Sequence, residues 1–132
     1  VLNNSILNLH GGGKSVRAFI HADDVSNGIL KMVKTGRLGE VYHFSPEEFF
    51  SIKDIVMIIC DELDADFDKH TKVTEDRAGK DFAYLMGSNK ANSELKWNSE
   101  IALKTGIKQT IKWVKSNLDD ITKLSHEYEH KE

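Results

Sequence analysis

His126-Glu127-Tyr128-Glu129-His130 has the H-E-x-x-H spacing that sets two zinc ligands one helical turn apart with a glutamate base between them. A catalytic zinc also needs a third protein ligand and an apolar supporting shell. Only Lys131 and Glu132 follow, so the run reads as a solvated charged tail with no more than adventitious metal affinity. Gly13-Lys14-Ser15 suggests a different chemistry, the cradling of a triphosphate by glycine amides and a lysine. The outer glycine of that motif would fall at Asn8, and the residues after Ser15 favour a strand where a helix N-terminus should meet the phosphates. A structural turn is therefore expected there. Arg17 lies just past this turn, and Arg77 lies in Glu75-Asp76-Arg77-Ala78-Gly79-Lys80-Asp81, where a second turn can aim a guanidinium into a cleft. The planar fork of arginine suits bidentate binding of a phosphate, although either residue taken alone is more often a solvated or salt-bridged surface residue.

The other titratable side chains point to structure. His10, His21, His43 and His70 share no ligand spacing and read as packing or loop residues. Cys60, among Ile58, Ile59 and Leu63 and next to Asp61 and Glu62, reads as a buried small hydrophobe, since a reactive thiolate wants basic neighbours. Trp97 and Trp113 have apolar partners at helical spacing, which predicts that both lie in the core.

These residues have to be positioned by alternating short strands and helices. An apolar stretch over residues 1–15 ends in Gly11-Gly12-Gly13, and Val16-Arg17-Ala18-Phe19-Ile20 favours an extended segment. Asp23 and Asp24 stand where an N-cap belongs, and Val25, Ile29, Met32 and Val33 predict a helix over about 24–34 that ends at Gly36 and Gly39. Val41-Tyr42-His43-Phe44 reads as a buried strand. Ser51 with Asp54 three positions on forms a capping box before Ile52, Ile55, Val56, Ile59 and Leu63, which is the clearest helix in the chain. Residues 64–82 read as an exposed connection with a weak strand signal near Val73. A helix from Ser88 to Leu95 and another over about 102–118, with Leu103, Ile107, Ile111 and Val114 on one face, complete the pattern.

At 132 residues with 39% hydrophobic and 30% charged side chains, the chain is sized for one domain with its own core. A net charge of −3 gives no broad footprint for nucleic acid or an anionic membrane, and no apolar run approaches the roughly 20 residues of a membrane span. The single cysteine and the lack of a signal-peptide pattern point to a cytoplasmic setting, and the start at Val1 suggests a fragment of a longer protein.

Several motifs occur in a fixed order: Leu9-His10-Gly11-Gly12-Gly13, Val16-Arg17-Ala18-Phe19-Ile20-His21, Asp24-Val25, Gly39-Glu40-Val41-Tyr42-His43 and Asp76-Arg77-Ala78-Gly79-Lys80-Asp81. Lys90, Glu94-Leu95-Lys96-Trp97, Gly106-Ile107 and Thr110-Ile111-Lys112-Trp113 follow. From about Leu7 to Asn117 this order resembles the carboxyl-terminal portion of the NAD-dependent epimerase/dehydratase family, the extended short-chain dehydrogenase/reductases that act on nucleotide sugars. The resemblance implies an α/β fold, with residues 1–45 ending a Rossmann-type nucleotide-binding domain and opening the substrate cleft. Residues 46–118 would form a small, mainly helical substrate-binding domain, and 119–132 a charged tail. It implies that Arg17 and Arg77 bind the diphosphate of a nucleotide sugar and that Asn8 and His10 occupy positions beside its base. The family more often has Pro and Tyr at these two positions, Asp at Ala18, Pro at Ala78 and a helix-starting Asp at Gly87, which leaves Ser88 to cap.

The resemblance further implies a homodimeric parent that uses NAD for 4,6-dehydration or epimerisation. The family's glycine-rich cofactor turn and Tyr-x-x-x-Lys pair are not in this chain, because Tyr42, Tyr84 and Tyr128 have Pro46, Ser88 and Glu132 four positions on. The chain by itself is thus expected to carry no catalytic or cofactor-binding residue. The alternative reading is a stand-alone, noncatalytic sugar-nucleotide-binding or interaction module.

Overall fold

A computed structural model describes residues 1–76, 79 and 81–124. The chain opens with β1 (Leu7–His10), whose Leu9 is buried, and a tight turn over Gly11–Gly13 leads into β2 (Val16–Arg17). All three glycines of the turn have φ between +60° and +70°, a backbone that side-chain-bearing residues adopt at a cost. Only Val16 and Arg17 of the expected extended run make ladder contacts.

Next comes α1 (Ala22–Thr35), which starts two residues before the predicted boundary. Its N-cap is His21, whose Nδ1 accepts from the Asp23 amide at 3.2 Å, and neither predicted aspartate caps it. Asp24 turns inward instead. The helix ends as expected at Gly36, whose amide donates to the Met32 carbonyl. Val41–Phe44, expected as a strand, forms none, because no other strand lies beside it among the described residues.

β3 (Phe50–Ser51) runs directly into α2 (Ile52–Glu62), and the predicted capping box is present. Ser51 Oγ accepts from the Asp54 amide at 3.1 Å, while Asp54 Oδ2 accepts from the Ser51 amide at 2.9 Å. The segment expected to be an exposed connection holds α3 (Phe67–His70) and β4 (Thr71–Thr74). Asp66 caps α3, and β4 gains its structure from a parallel ladder with β1 in the register Leu9↔Val73, a long-range pairing that local composition does not reveal.

β5 (Ala83–Tyr84) pairs parallel with β2, which pairs antiparallel with β3 on its other side. Then α4 (Asn89–Leu95) begins without the expected Ser88 side-chain cap, since the Ser88 hydroxyl is committed to Ser45, accepting from its amide at 2.7 Å and donating to its carbonyl at 2.9 Å. The last predicted helix is divided at Asn117 into α5 (Leu103–Ser116) and α6 (Leu118–Thr122).

Two apolar centres hold these elements. Leu9, Val56 and Cys60 join β1 to α2, with Ile52 and Phe67 packed around them. Ala91, Leu95 and Trp97 form the second, flanked by Ile20, Met32, Tyr42 and Phe44. Cys60 and Trp97 are both buried as predicted, each only 1% exposed. Burial also pushes the Cys60 thiol above its ordinary range, which suits an inert packing residue. Trp113 contradicts the expectation of a core position, being 62% exposed. It precedes Val114 by one residue, and the roughly 100° turn per helical residue carries it off the packed face.

Candidate functional site

In β1, Leu9 turns into the core, so its neighbours Asn8 and His10 project to the opposite side of the strand. Asn8 is exposed and stands opposite Lys72 in the ladder. His10 stands opposite Thr74, and its Nδ1 lies 3.1 Å from Thr74 Oγ1 and 3.3 Å from the Glu75 carbonyl. Beyond His10 the glycine turn is closely bounded. A Cβ on Gly11 would fall 2.4 Å from Asp76 Oδ2, and one on Gly13 would fall 3.0 Å from the Lys53 amide nitrogen. Ser15 leads into β2 and not into a helix, so the Gly-Lys-Ser run has no helix N-terminus to offer a phosphate.

Arg17 sits in the central strand of the three-stranded sheet, opposite Phe50 on one side and Tyr84 on the other. Its Nη1 donates to the carbonyls of Val16 at 2.7 Å and Phe82 at 3.4 Å, and its Nη2 donates to the Asp81 carbonyl at 3.1 Å. With five N–H donors, a guanidinium held this way keeps some for an anion. The β1–β4 and β2–β5 ladders set residues 7–10 beside residues 71–74 and residues 16–17 beside residues 83–84. Arg77 itself lies outside the described residues, as do His126 and His130. Among the described residues, no group of three His, Cys, Asp or Glu side chains could hold a metal ion.

A cleft of about 870 Å³ lies elsewhere. Phe19, Phe49, Met86, Asn89, Glu47 and Glu100 are among its lining residues, and Asn8, His10 and Arg17 are not. Its lining includes Glu48 as a third glutamate and no lysine or arginine, so it disfavours an anionic ligand.

Two clusters were missed by sequence reasoning. Asp24, 3% exposed, accepts from the Ser99 hydroxyl at 3.2 Å and from the Glu100 and Ile101 amides at 3.1 and 3.0 Å, while the Trp97 indole donates to its carbonyl at 2.9 Å. It thereby fixes the loop that walls the large cleft. Tyr42 Oη donates to Glu94 at 2.7 Å, and Arg37 grips the same carboxylate through Nε at 3.2 Å and Nη2 at 2.6 Å. These partners hold the Glu94 carboxyl below its usual range, and the Lys90 ammonium does the same for Glu40. Tyr42 is thus engaged in a surface clasp. Only the Asp23-Asp24 pair hinted at the first cluster, and nothing local marked the second.

No family model matches the chain. It is 28% identical over 122 residues to dTDP-glucose 4,6-dehydratase of Escherichia coli, covering 88% of this chain and 34% of that one. It is 30% identical over 114 residues to the human dTDP-D-glucose 4,6-dehydratase, covering 83% and 32%. Among solved structures, the dTDP-glucose 4,6-dehydratase DesIV of Streptomyces venezuelae, with NAD and TYD bound, superposes with a TM-score of 0.83 at 30% identity, over 89% of this chain and 36% of that one. The UDP-glucose 4-epimerase of Thermotoga maritima shares the fold, with a TM-score of 0.81 at 21% identity, over 89% and 37%. The chain spans about a third of the length of the curated relatives it matches. By sequence and backbone together, it is homologous to part of the NAD-dependent epimerase/dehydratase enzymes, of the dTDP-glucose 4,6-dehydratase type.

Proposed function

We propose that this chain is the nucleotide-sugar-binding portion of an NAD-dependent nucleotide-sugar 4,6-dehydratase or epimerase, in which Arg17 and Arg77 grip the diphosphate and Asn8 and His10 flank the base. The supporting observation is the pair of parallel ladders, β1–β4 and β2–β5, which bring the segment that carries Arg17 beside residues 71–74 and 83–84, on either side of Arg77 in the sequence. Two arginines that converge on one pyrophosphate can clamp it with four or more charge-assisted hydrogen bonds. The likeness to enzymes solved with NAD supports NAD as the parent's cofactor. Bound in the parent, that cofactor would supply reversible hydride transfer. The Gly11–Gly13 turn leads to a strand and suits no dinucleotide, so this chain's share is binding and orientation. We place the parent in the cytoplasm as a homodimer, with residues 1–45 ending its nucleotide-binding domain, 46–118 forming the substrate-binding part and 119–132 a charged tail.

Calorimetric titration of UDP and dTDP tests the assignment. Arg17→Ala and Arg77→Ala should each weaken binding by about 1.5–3 kcal/mol, the worth of charge-assisted hydrogen bonds, and lysine should restore only part of it. Arg17→Ala also frees the backbone at residues 81 and 82, so Arg77→Ala and the double variant separate direct contact from support. Unchanged affinity in both single variants would end the proposal, as would guanidinium groups on opposite faces of the folded chain.

A further inference from the structure

The glycine turn at residues 11–13 is held on two sides. Toward α2, the Ile52 amide donates to the Ser15 carbonyl at 3.0 Å, and a Cβ on Gly13 would meet the Lys53 backbone. Toward β4, the ladder with β1 ends at the pair His10↔Thr74, and two residues later the Asp76 carboxylate rests on Gly11. A Cβ at residue 11 would fall 2.5 Å from Asp76 Cγ and 2.9 Å from its Oδ1, so the carboxylate fills the space that a side chain would take. This seat requires glycine at position 11. Gly12 differs. Its φ of +70° is close to the +60° of Gly11, yet a Cβ there would meet nothing nearer than Lys14 Cε at 4.0 Å.

Asp76 is also the residue immediately before Arg77. For charge alone a carboxylate is a poor neighbour to a diphosphate site, because it repels the ligand. Its effect on the backbone gives it a reason to be there. Residues 74–76 are fixed against β1 and the turn by three contacts in succession: Thr74 Oγ1 at 3.1 Å from His10 Nδ1, the Glu75 carbonyl at 3.3 Å from the same nitrogen, and the Asp76 carboxylate on Gly11. The chain is thereby anchored up to the residue before Arg77. An arginine that extends from an anchored backbone loses less conformational entropy when it meets an anion.

We infer that Asp76 is a positioning residue for diphosphate binding, its carboxylate seated on Gly11 and holding the backbone from which Arg77 extends. The inference rests on the proposed function, in which Arg77 is a diphosphate ligand, and adds to it a reason for glycine at position 11 and an acid at position 76.

Calorimetric titration of UDP into the 132-residue chain and its variants is the test, and the sign of the change discriminates. Removing a negative charge beside the site would by charge alone tighten binding, whereas loss of the seat should make Asp76→Ala bind UDP about tenfold more weakly. Asp76→Asn keeps the shape of the seat and should recover most of that affinity. Gly11→Ala should weaken UDP binding about as much as Asp76→Ala, while Gly12→Ala, with a similar backbone cost but no clash, should stay within about twofold of wild type. The double variant Asp76→Ala/Arg77→Ala should be no more than about twofold weaker than Arg77→Ala, because Asp76 acts through Arg77. Amide exchange at Glu75 and Asp76, which needs no ligand, should quicken in Asp76→Ala and Gly11→Ala and not in Gly12→Ala. Unchanged or tighter binding in Asp76→Ala would overturn the inference, as would equal losses in the two glycine variants, fully additive losses in the double variant, no rescue by asparagine, or unmoved exchange. If Arg77→Ala leaves affinity unchanged, the proposed function falls and this inference with it. If Arg77→Ala weakens binding and Asp76→Ala does not, only the positioning role is removed.

Discussion

Replacing Asp24 with alanine takes the acceptor away from three donors at once, the Ser99 hydroxyl and the Glu100 and Ile101 amides. A hydrogen bond to a charged group contributes about 1.5–3 kcal/mol. Three such bonds to one carboxylate are not additive, and the donors are only partly buried, so water recovers some of the loss. A net destabilisation of about 3–4 kcal/mol is expected, including the smaller loss of a negative charge in the first turn of α1. For a chain of 132 residues that lowers the melting temperature by roughly 10–15 °C. Asp24→Asn should cost less, about 2 kcal/mol, because it keeps one acceptor but turns an amide NH2 toward a backbone N–H. Urea unfolding followed by tryptophan fluorescence measures the change directly, since Trp97 donates to the Asp24 carbonyl and reports on this centre. Exchange of the Glu100 and Ile101 amides should speed up in both variants. A stability loss below 1 kcal/mol in Asp24→Ala would refute the view that this carboxylate organises the 97–102 loop.

Gly28→Ala should destabilise the chain by about 1–2 kcal/mol in the same assay, because the new Cβ would sit 2.7 Å from the Phe44 ring and the cost of overpacking exceeds the gain in helix propensity. The two tryptophans should separate sharply under thermal denaturation. Trp97→Ala should cost about 3–5 kcal/mol, and Trp113→Ala, at an exposed position, should stay within about 0.5 kcal/mol of wild type. Ser51→Ala should cost about 1 kcal/mol through loss of the α2 cap. Its pH signature follows from Asp54, whose carboxyl is held below its ordinary range by the Ser51 hydroxyl and then by the Ser51 amide. A lowered pKa gives stability that is present above the unfolded value and lost as the pH falls through the folded one. The acid limb of the stability profile should therefore be shallower in Ser51→Ala than in wild type, and an unchanged limb would count against the cap.

Which features could be read in advance depended on the distance over which each is encoded. The α2 capping box needs only Ser51 and Asp54, three residues apart, and it forms as predicted. Cys60 and Trp97 were legible as core because their apolar neighbours lie within one helical turn or an adjoining element. Ser88 failed as a cap because Ser45, 43 residues away, captured its hydroxyl. Asp24 failed as a cap because its acceptors were taken by a loop some 75 residues downstream. In both cases a distant partner outcompeted a local preference, as buried polar groups require when they lose water.

The amino-acid sequence by itself determined the longer helical segments, the glycine turn, and the ordered motifs that resemble those of the dTDP-glucose 4,6-dehydratases. Each of these rests on local sterics or on residue order, which need no coordinates. The tertiary structure decided that Thr71–Thr74 is a strand, that Arg17 reaches the carbonyls of residues 81 and 82, and that Val41–Phe44 has no ladder among the described residues. A β-ladder is a bond between distant segments, so a strand exists only where its partner does, and no single stretch of residues contains that information.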